Sequence, residues 1–225
     1  MTIGVVLFPG TNCEHDVIEA VRAVGGEAEI VWHGDRRLAS HIDAVVLPGG
    51  FAHGDYLRTG AIARFSPVMG VVTDFANGGG PVLGICNGFQ VLCEAGLLPG
   101  ALQKNNGLRF VCQTVTLRVE SGATSVTGND DKGSERRLPI NHFEGNYTCD
   151  RTTLDELNAT DRVVLRYVGN PNGSIDDIAG ICSAGRNVVG MMPHPERASH
   201  ELLGSTDGRS MFERLVAQPS LTSTG

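Results

Sequence analysis

Pro81-Val82-Leu83-Gly84-Ile85-Cys86-Asn87-Gly88-Phe89-Gln90 reads as a buried strand that breaks into a helix with a thiol at the break. The run Val82–Ile85 does not alternate with polar residues, the pattern of a strand covered on both faces. Glycines stand two before and two after Cys86. A residue held in a sharp strand-to-helix turn draws its flanking positions close together, and a Cβ there would clash. A thiol at the start of a helix meets the positive end of the dipole and free backbone N–H groups. That setting favours thiolate and can hold an oxyanion. Cys86 is therefore the candidate nucleophile. Taken alone, Gly-x-Cys-x-Gly fits an ordinary glycine-rich turn around a small buried thiol equally well.

Upstream, Ile3–Phe8 is an apolar run of strand length, followed by Pro9-Gly10-Thr11-Asn12. Val17, Ala20, Val21 and Val24 then share one helical face, closed by Gly25-Gly26. Strands follow at Ala28–Trp32 and Asp43–Leu47, the second ending at Pro48-Gly49-Gly50-Phe51. Ala61–Asn77 reads as one or two helices broken near Pro67, and the helix after Cys86 reaches about Glu94 before Gly96. Beyond Leu108, Val111, Gln113, Val115, Leu117 and Val119 alternate with Cys112, Thr114, Thr116 and Arg118, which predicts a half-buried antiparallel strand. Ser121–Arg137 is polar and reads as a loop. Val163–Tyr167, Ile178–Ser183 and Asn187–Met192 are further strands, and a last helix spans about Gly208–Val216. The order predicts an α/β fold, a wound and mostly parallel central sheet flanked by helices, with an added antiparallel portion. One domain, 1–217, is expected, with a Ser/Thr-rich tail at 218–225 that reads as disordered.

The 225 residues are 41% hydrophobic and 5% aromatic, enough for one sizeable core. The net charge is −7 without blocks of like charge, which argues against nucleic acid and anionic membranes as partners. No apolar run is long enough to span a bilayer. The six cysteines, Cys13, Cys86, Cys93, Cys112, Cys149 and Cys182, form no CxxC pair, and Met1–Gly4 leads straight into a strand. Free thiols in the cytoplasm are expected.

Pro193-His194-Pro195-Glu196 supplies the second half of a site. Proline pushes the residue before it into extended conformation, so Met192 and His194 are held stretched. In an extended chain, side chains two apart share a face, so the Glu196 carboxylate can orient the His194 imidazole. Pro195 places the pair at or just past a strand end, the edge where wound sheets bind ligands. With Cys86 this makes a Cys-His-Glu arrangement of nucleophile, base and orienter. The backbone N–H groups of Gly50 and Asn87 are the candidate oxyanion hole. The histidine-containing stretches Glu14-His15-Asp16 and His53-x-Asp55 lack a third metal ligand at useful spacing, and no metal is expected.

Gly84-Ile85-Cys86-Asn87-Gly88, with Pro48-Gly49-Gly50 upstream and His194-Pro195-Glu196 downstream, resembles the class I glutamine amidotransferase family over nearly the whole chain, to about Val216. Phe8–Cys13, Gly49–Arg58, Gly60–Ala63 and Met191–Arg197 match one branch more closely, glutaminase subunits that serve an ATP-dependent synthetase of de novo purine synthesis. The resemblance implies a flavodoxin-like sheet and L-glutamine as substrate. It implies attack by Cys86 on the side-chain amide, and a thioester that water hydrolyses with His194 as acid and then base. It also implies that Gln90 and the loop Asn141-His142-Phe143-Glu144-Gly145 hold the α-amino and α-carboxylate groups. Phe143 stands where the family usually has glycine.

Free ammonia becomes ammonium in water and must be used where it is made, yet the chain has no Gly-x4-Gly-Lys-Ser/Thr loop. No cofactor is expected in this chain. ATP and Mg belong to a partner, which the resemblance identifies as a large synthetase subunit accompanied by a small third subunit. His53, Arg58 and Arg209 could face that partner or be solvated loop residues. Two other readings of the same residues are a stand-alone cysteine hydrolase or peptidase and a non-catalytic thiol-sensing subunit.

Overall fold

The computed structural model describes residues 1–217, and the expected tail at 218–225 lies outside the described residues. Among the described residues nine strands form one sheet in the order β2-β1-β3-β4-β11-β10-β9-β6-β7. The first five, β2 (Glu27–Trp32), β1 (Thr2–Leu7), β3 (Ile42–Leu47), β4 (Val82–Ile85) and β11 (Val188–Met191), are parallel neighbours. This is the doubly wound order in which the chain reverses direction across the sheet beside β1 and β3. The apolar runs read from sequence explain it: every residue of β4 and β11 is buried. The run in β2 is mixed, and it lies at the edge with Ile30 and Trp32 partly exposed. Burial of each such Val, Ile or Leu contributes roughly 1.5–3 kcal/mol.

The antiparallel portion continues the same sheet through β10 (Ile178–Cys182), β9 (Val163–Val168), β6 (Val111–Val119) and β7 (Glu135–His142). In β6 the alternation buries Val115, Leu117 and Val119. The segment Ser121–Arg137, read as a loop, differs at its end, because β7 starts at Glu135 and runs to Asn141 and His142. As an edge strand with Pro139 inside it and charges at 135–137, β7 has no strong strand signal in its sequence. A separate pair joins β5 (Ala101–Gln103) to β8 (Asn146–Thr148), both too short to read in advance.

Helices α1 (Glu14–Ala23), α2 (Pro67–Asn77), α3 (Asn87–Glu94), α4 (Arg151–Ala159) and α5 (Arg209–Val216) accompany the sheet. Pro67 occupies the first position of α2, so the break near it is a helix start. Among the helices α4 was unforeseen, although Asp150 caps it by accepting from the Thr153 N–H at 2.7 Å and Leu154 and Leu157 give it a buried side. One cluster of buried side chains runs from Ile3 to Leu215 across both halves of the sheet. All six cysteines are free, and no helix among the described residues is long and apolar enough to cross a membrane.

Candidate active site

The carboxyl ends of β1, β3, β4 and β11 converge on one pocket. Among its lining residues are Cys13, Gly50, Asp55, Cys86, Gln90, Asn141, His142, Phe143, Glu144, His194 and Arg197. Cys86 follows β4 directly and takes φ 51°, ψ −104°, a conformation costly for any residue with a Cβ. The glycines around it have the reason the sequence suggested. A Cβ on Gly88 would overlap the Leu47 carbonyl oxygen, and one on Gly84 would stand 2.8 Å from the Gly88 carbonyl carbon. The end of β3 and the start of α3 are thereby locked together around the thiol. The Cys86 sulfur lies 3.7 Å from the Asn141 carbonyl oxygen.

His194 and Glu196 are both 1% exposed, and His194 Nδ1 donates to Glu196 Oε1 at 2.6 Å. The chain does not stay extended between them. It enters a 3₁₀ turn over Pro195–Ala198, because proline suits the first position of such a turn, and this turn swings the carboxylate under the ring. The His194 N–H donates to the Pro139 carbonyl at 2.8 Å, which ties the turn to the edge strand β7. Burial opposes protonation of His194, but the Glu196 carboxylate and the Cys86 sulfur beside the ring raise its pKa well above the usual histidine value. Nε2 is buried with no hydrogen-bond partner among the described residues, which leaves it available to a reacting group.

Cys13 is a second thiol in the pocket, missed as a site residue. Its sulfur accepts from Arg197 Nη2 at 3.0 Å and lies within 4.8 Å of the His194 and Glu196 ligand atoms. A donor set of Cys13, His194 and Glu196 could in principle hold a metal. The Arg197 guanidinium on the sulfur and the 2.6 Å hydrogen bond already spending Nδ1 on Glu196 argue for an acid–base arrangement instead.

Gly50 sits at φ 149°, where a Cβ would stand 2.7 Å from the Thr11 Cα. Asn87 opens α3, so its N–H has no partner within the helix. Its side chain, 2% exposed, does something the sequence did not suggest. It accepts from the Ala52 N–H at 3.0 Å and donates to Asp55 and to Gln90 Oε1, fastening the loop after β3 onto α3. Gln90 lines the pocket, with its amide nitrogen on the Glu144 carbonyl at 2.5 Å.

The segment expected to hold the substrate begins inside β7. His142 is buried, and burial together with the nearby His194 pushes its pKa down to about 4, so it is neutral at pH 7. Phe143 is not at a positive φ, so its side chain costs no backbone strain at this position. Asn105, 1% exposed and unforeseen, organises the segment. Its backbone N–H donates to the Phe143 carbonyl at 2.9 Å and its Nδ2 to the His142 carbonyl at 3.0 Å. Its Oδ1 takes the Gly145 N–H at 3.1 Å and faces His142 Nδ1. Asp55 and Glu144 both face the pocket with raised pKa values, Asp55 through burial and Glu144 through burial and the charge of Asp55. Two acids in one pocket, one of them raised by the charge of the other, mark a place that would welcome a cation.

Comparison with known proteins agrees with this geometry. Residues 1–214 match the CobB/CobQ-like glutamine amidotransferase domain. Phosphoribosylformylglycinamidine synthase subunit PurQ of Rubrobacter xylanophilus is 58% identical over 217 residues, 96% of this chain and 98% of that one. The same subunit of Helicobacter hepaticus is 53% identical over 216 residues, covering 96% of this chain and 97% of its own. Among solved structures, PurLQS from Thermotoga maritima superposes with a TM-score of 0.87 at 40% identity, covering 95% of this chain and 96% of that one. The chain belongs to the CobB/CobQ-like glutamine amidotransferase family and, within it, to the PurQ subunits of phosphoribosylformylglycinamidine synthases.

Proposed function

We propose that this chain is the glutaminase subunit of a phosphoribosylformylglycinamidine synthase, releasing ammonia from L-glutamine and passing it to an ATP-dependent synthetase subunit. The observation that carries the reading is the strained Cys86 sharing one pocket with a buried His194–Glu196 pair at 2.6 Å. In the Michaelis complex the α-ammonium group of glutamine lies by Asp55 and Glu144, with Gln90, Asn141, His142 and Phe143 shaping that end of the pocket. The side-chain amide then reaches Cys86. The thiolate attacks the amide carbon, and the N–H groups of Gly50 and Asn87 take the oxyanion, a contribution of about 3–4 kcal/mol per lost donor in comparable sites. His194, kept cationic by Glu196 and the sulfur, donates its proton to the leaving nitrogen. Ammonia departs and a glutamyl thioester remains on Cys86. His194, now neutral, takes a proton from water, which attacks the thioester and frees glutamate.

The ammonia is used on the large subunit, which activates formylglycinamide ribonucleotide with ATP and Mg and is accompanied by a small third subunit. This chain needs no cofactor of its own, and its free thiols suit the cytoplasm. The test is Cys86→Ala in the assembled complex. Glutamine-dependent product formation is expected to fall by at least ~10³-fold, with ammonium-dependent synthesis unchanged. Retained glutamine-dependent synthesis would refute the reading.

A further inference from the structure

Arg197 does not rest where an arginine beside a buried carboxylate is expected to rest. It follows Glu196 directly in the 3₁₀ turn, and Glu196 Oε2 is buried with no hydrogen-bond partner among the described residues. A guanidinium and a carboxylate favour two-pronged pairing at about 2.8 Å. Here Arg197 Nε stands 4.0 Å from Glu196 Oε1. The guanidinium is seated instead on the Cys13 sulfur, 3.0 Å from Nη2, with Asp16 Oδ2 3.6 Å from Nε. Sulfur is a weak acceptor and Asp16 is half-exposed, so neither is a stronger partner than the carboxylate passed over.

The seat is a built one. Cys13 is 1% exposed and stands just before α1, where its N–H donates to the Gly49 carbonyl at 3.3 Å. Its S–H donates to Asn12 Oδ1 at 3.2 Å, which leaves the sulfur lone pairs to the guanidinium. A Cβ on Gly49 would stand 3.1 Å from this sulfur and 2.8 Å from His194 Cε1. Sulfur and imidazole are thus packed against one glycine, which fixes where the sulfur presents itself. The thiol is not needed to orient His194, because Nδ1 is already bonded to Glu196.

We propose that Cys13 is a positioning residue of the glutaminase site, whose sulfur holds the Arg197 guanidinium off Glu196 so that the carboxylate stays committed to His194. This rests on the glutaminase reading. Without the sulfur, the guanidinium turns onto the unpartnered Glu196 Oε2 and spends the charge that keeps His194 protonated. The groups facing His194 are Glu196, Cys86, Cys13 and Arg197, together with His142, which burial and His194 itself push down. Of these, only Arg197 can move onto the carboxylate as a competing cation.

The experiment measures glutaminase kcat against pH in the assembled complex for the unmodified chain, Cys13→Ala, Cys13→Val, Cys13→Ser and Cys13→Ala/Arg197→Ala, with Tm for each. Cys13→Ala should lower kcat about tenfold and move the alkaline limb of the profile, where His194 loses its proton, about one unit lower. Cys13→Val, which fills the sulfur's space without an acceptor, should do the same. The Cys13→Ser hydroxyl still accepts from the guanidinium and should recover most of the rate. Removing Arg197 from the Cys13→Ala chain should bring kcat and the limb back toward the unmodified profile, although it deletes a further side chain. A packing role alone would lower Tm, leave the limb in place and be worsened by the second substitution. An unshifted limb in folded Cys13→Ala or Cys13→Val would overturn the proposal, as would a deeper loss on removing Arg197. These outcomes strike the proposal alone when the unmodified complex is active. An unmodified complex that makes no glutamate from glutamine would refute the glutaminase reading and the proposal with it.

Discussion

The two halves of the sheet contribute to the pocket differently. In the parallel half, Gly50, Cys86 and His194 follow the ends of β3, β4 and β11, strands buried through their last residues, and little separates each group from the core. In the antiparallel half, Asn141–Glu144 lie at the end of the edge strand β7, with Asn141, Phe143 and Glu144 only half-buried, and depend on Asn105 for their shape. On the proposed function the first half fixes reacting atoms and the second closes around the substrate. Substitutions in the parallel half should therefore lower kcat, and substitutions in the antiparallel half should raise KM.

The largest effect expected from breaking this division is at Glu196. Glu196→Gln keeps the shape of the side chain but loses the charge that holds His194 protonated, so kcat should fall roughly 10²-fold or more with KM for glutamine little changed. Steady-state glutaminase kinetics of the complex check this, and a change confined to KM would contradict it. Asn105→Ala should do the opposite, raising KM about tenfold while kcat stays within a few-fold, since it frees the His142 carbonyl and the Gly145 N–H but not Cys86 or His194. Equal losses in kcat would show that the halves do not act separately.

The smallest expected effect concerns pH. His142 has its pKa pushed down to about 4 in the folded chain, against about 6.5 when unfolded. Between these values the unfolded chain binds more protons, so this residue's contribution is full above pH 6.5 and is lost as pH falls toward 4. His142→Gln should narrow the difference in Tm between pH 7 and pH 5, whatever its effect on Tm itself. His194 titrates with the opposite sign but is present in both proteins, so it cancels from the comparison. An unchanged pH dependence of Tm would mean His142 is not held neutral.

The same division decided what could be read in the sequence. Cys86, His194, Glu196 and Gly50 stand where apolar runs meet Gly or Pro, and such junctions locate strand ends and sharp turns without a structure. In the antiparallel half the evidence in the sequence is thin. Only family resemblance points to Asn141–Gly145, and the first residues of β7 read as loop because its edge position permits charge and proline. Asn105 begins Asn-Asn-Gly, which signals a turn but says nothing of the five-residue segment it organises. The spacing of His53-x-Asp55 speaks only against a metal, and the anchorage of Asp55 to Asn87, 32 positions away, leaves no periodic trace. The turn of His194-Pro195-Glu196 was placed correctly at a strand end, but proline starts a 3₁₀ turn there rather than prolonging the strand.

The decisive measurement is alkylation of the complex with a glutamine-shaped electrophile, followed by mapping of the adduct. Cys86 should be modified stoichiometrically, L-glutamine should protect it, and Cys13, held by Arg197 in the same pocket, should stay unmodified. Modification of Cys13 in preference to Cys86, or labelling that glutamine fails to suppress, would contradict Cys86 as the nucleophile that opens the amide.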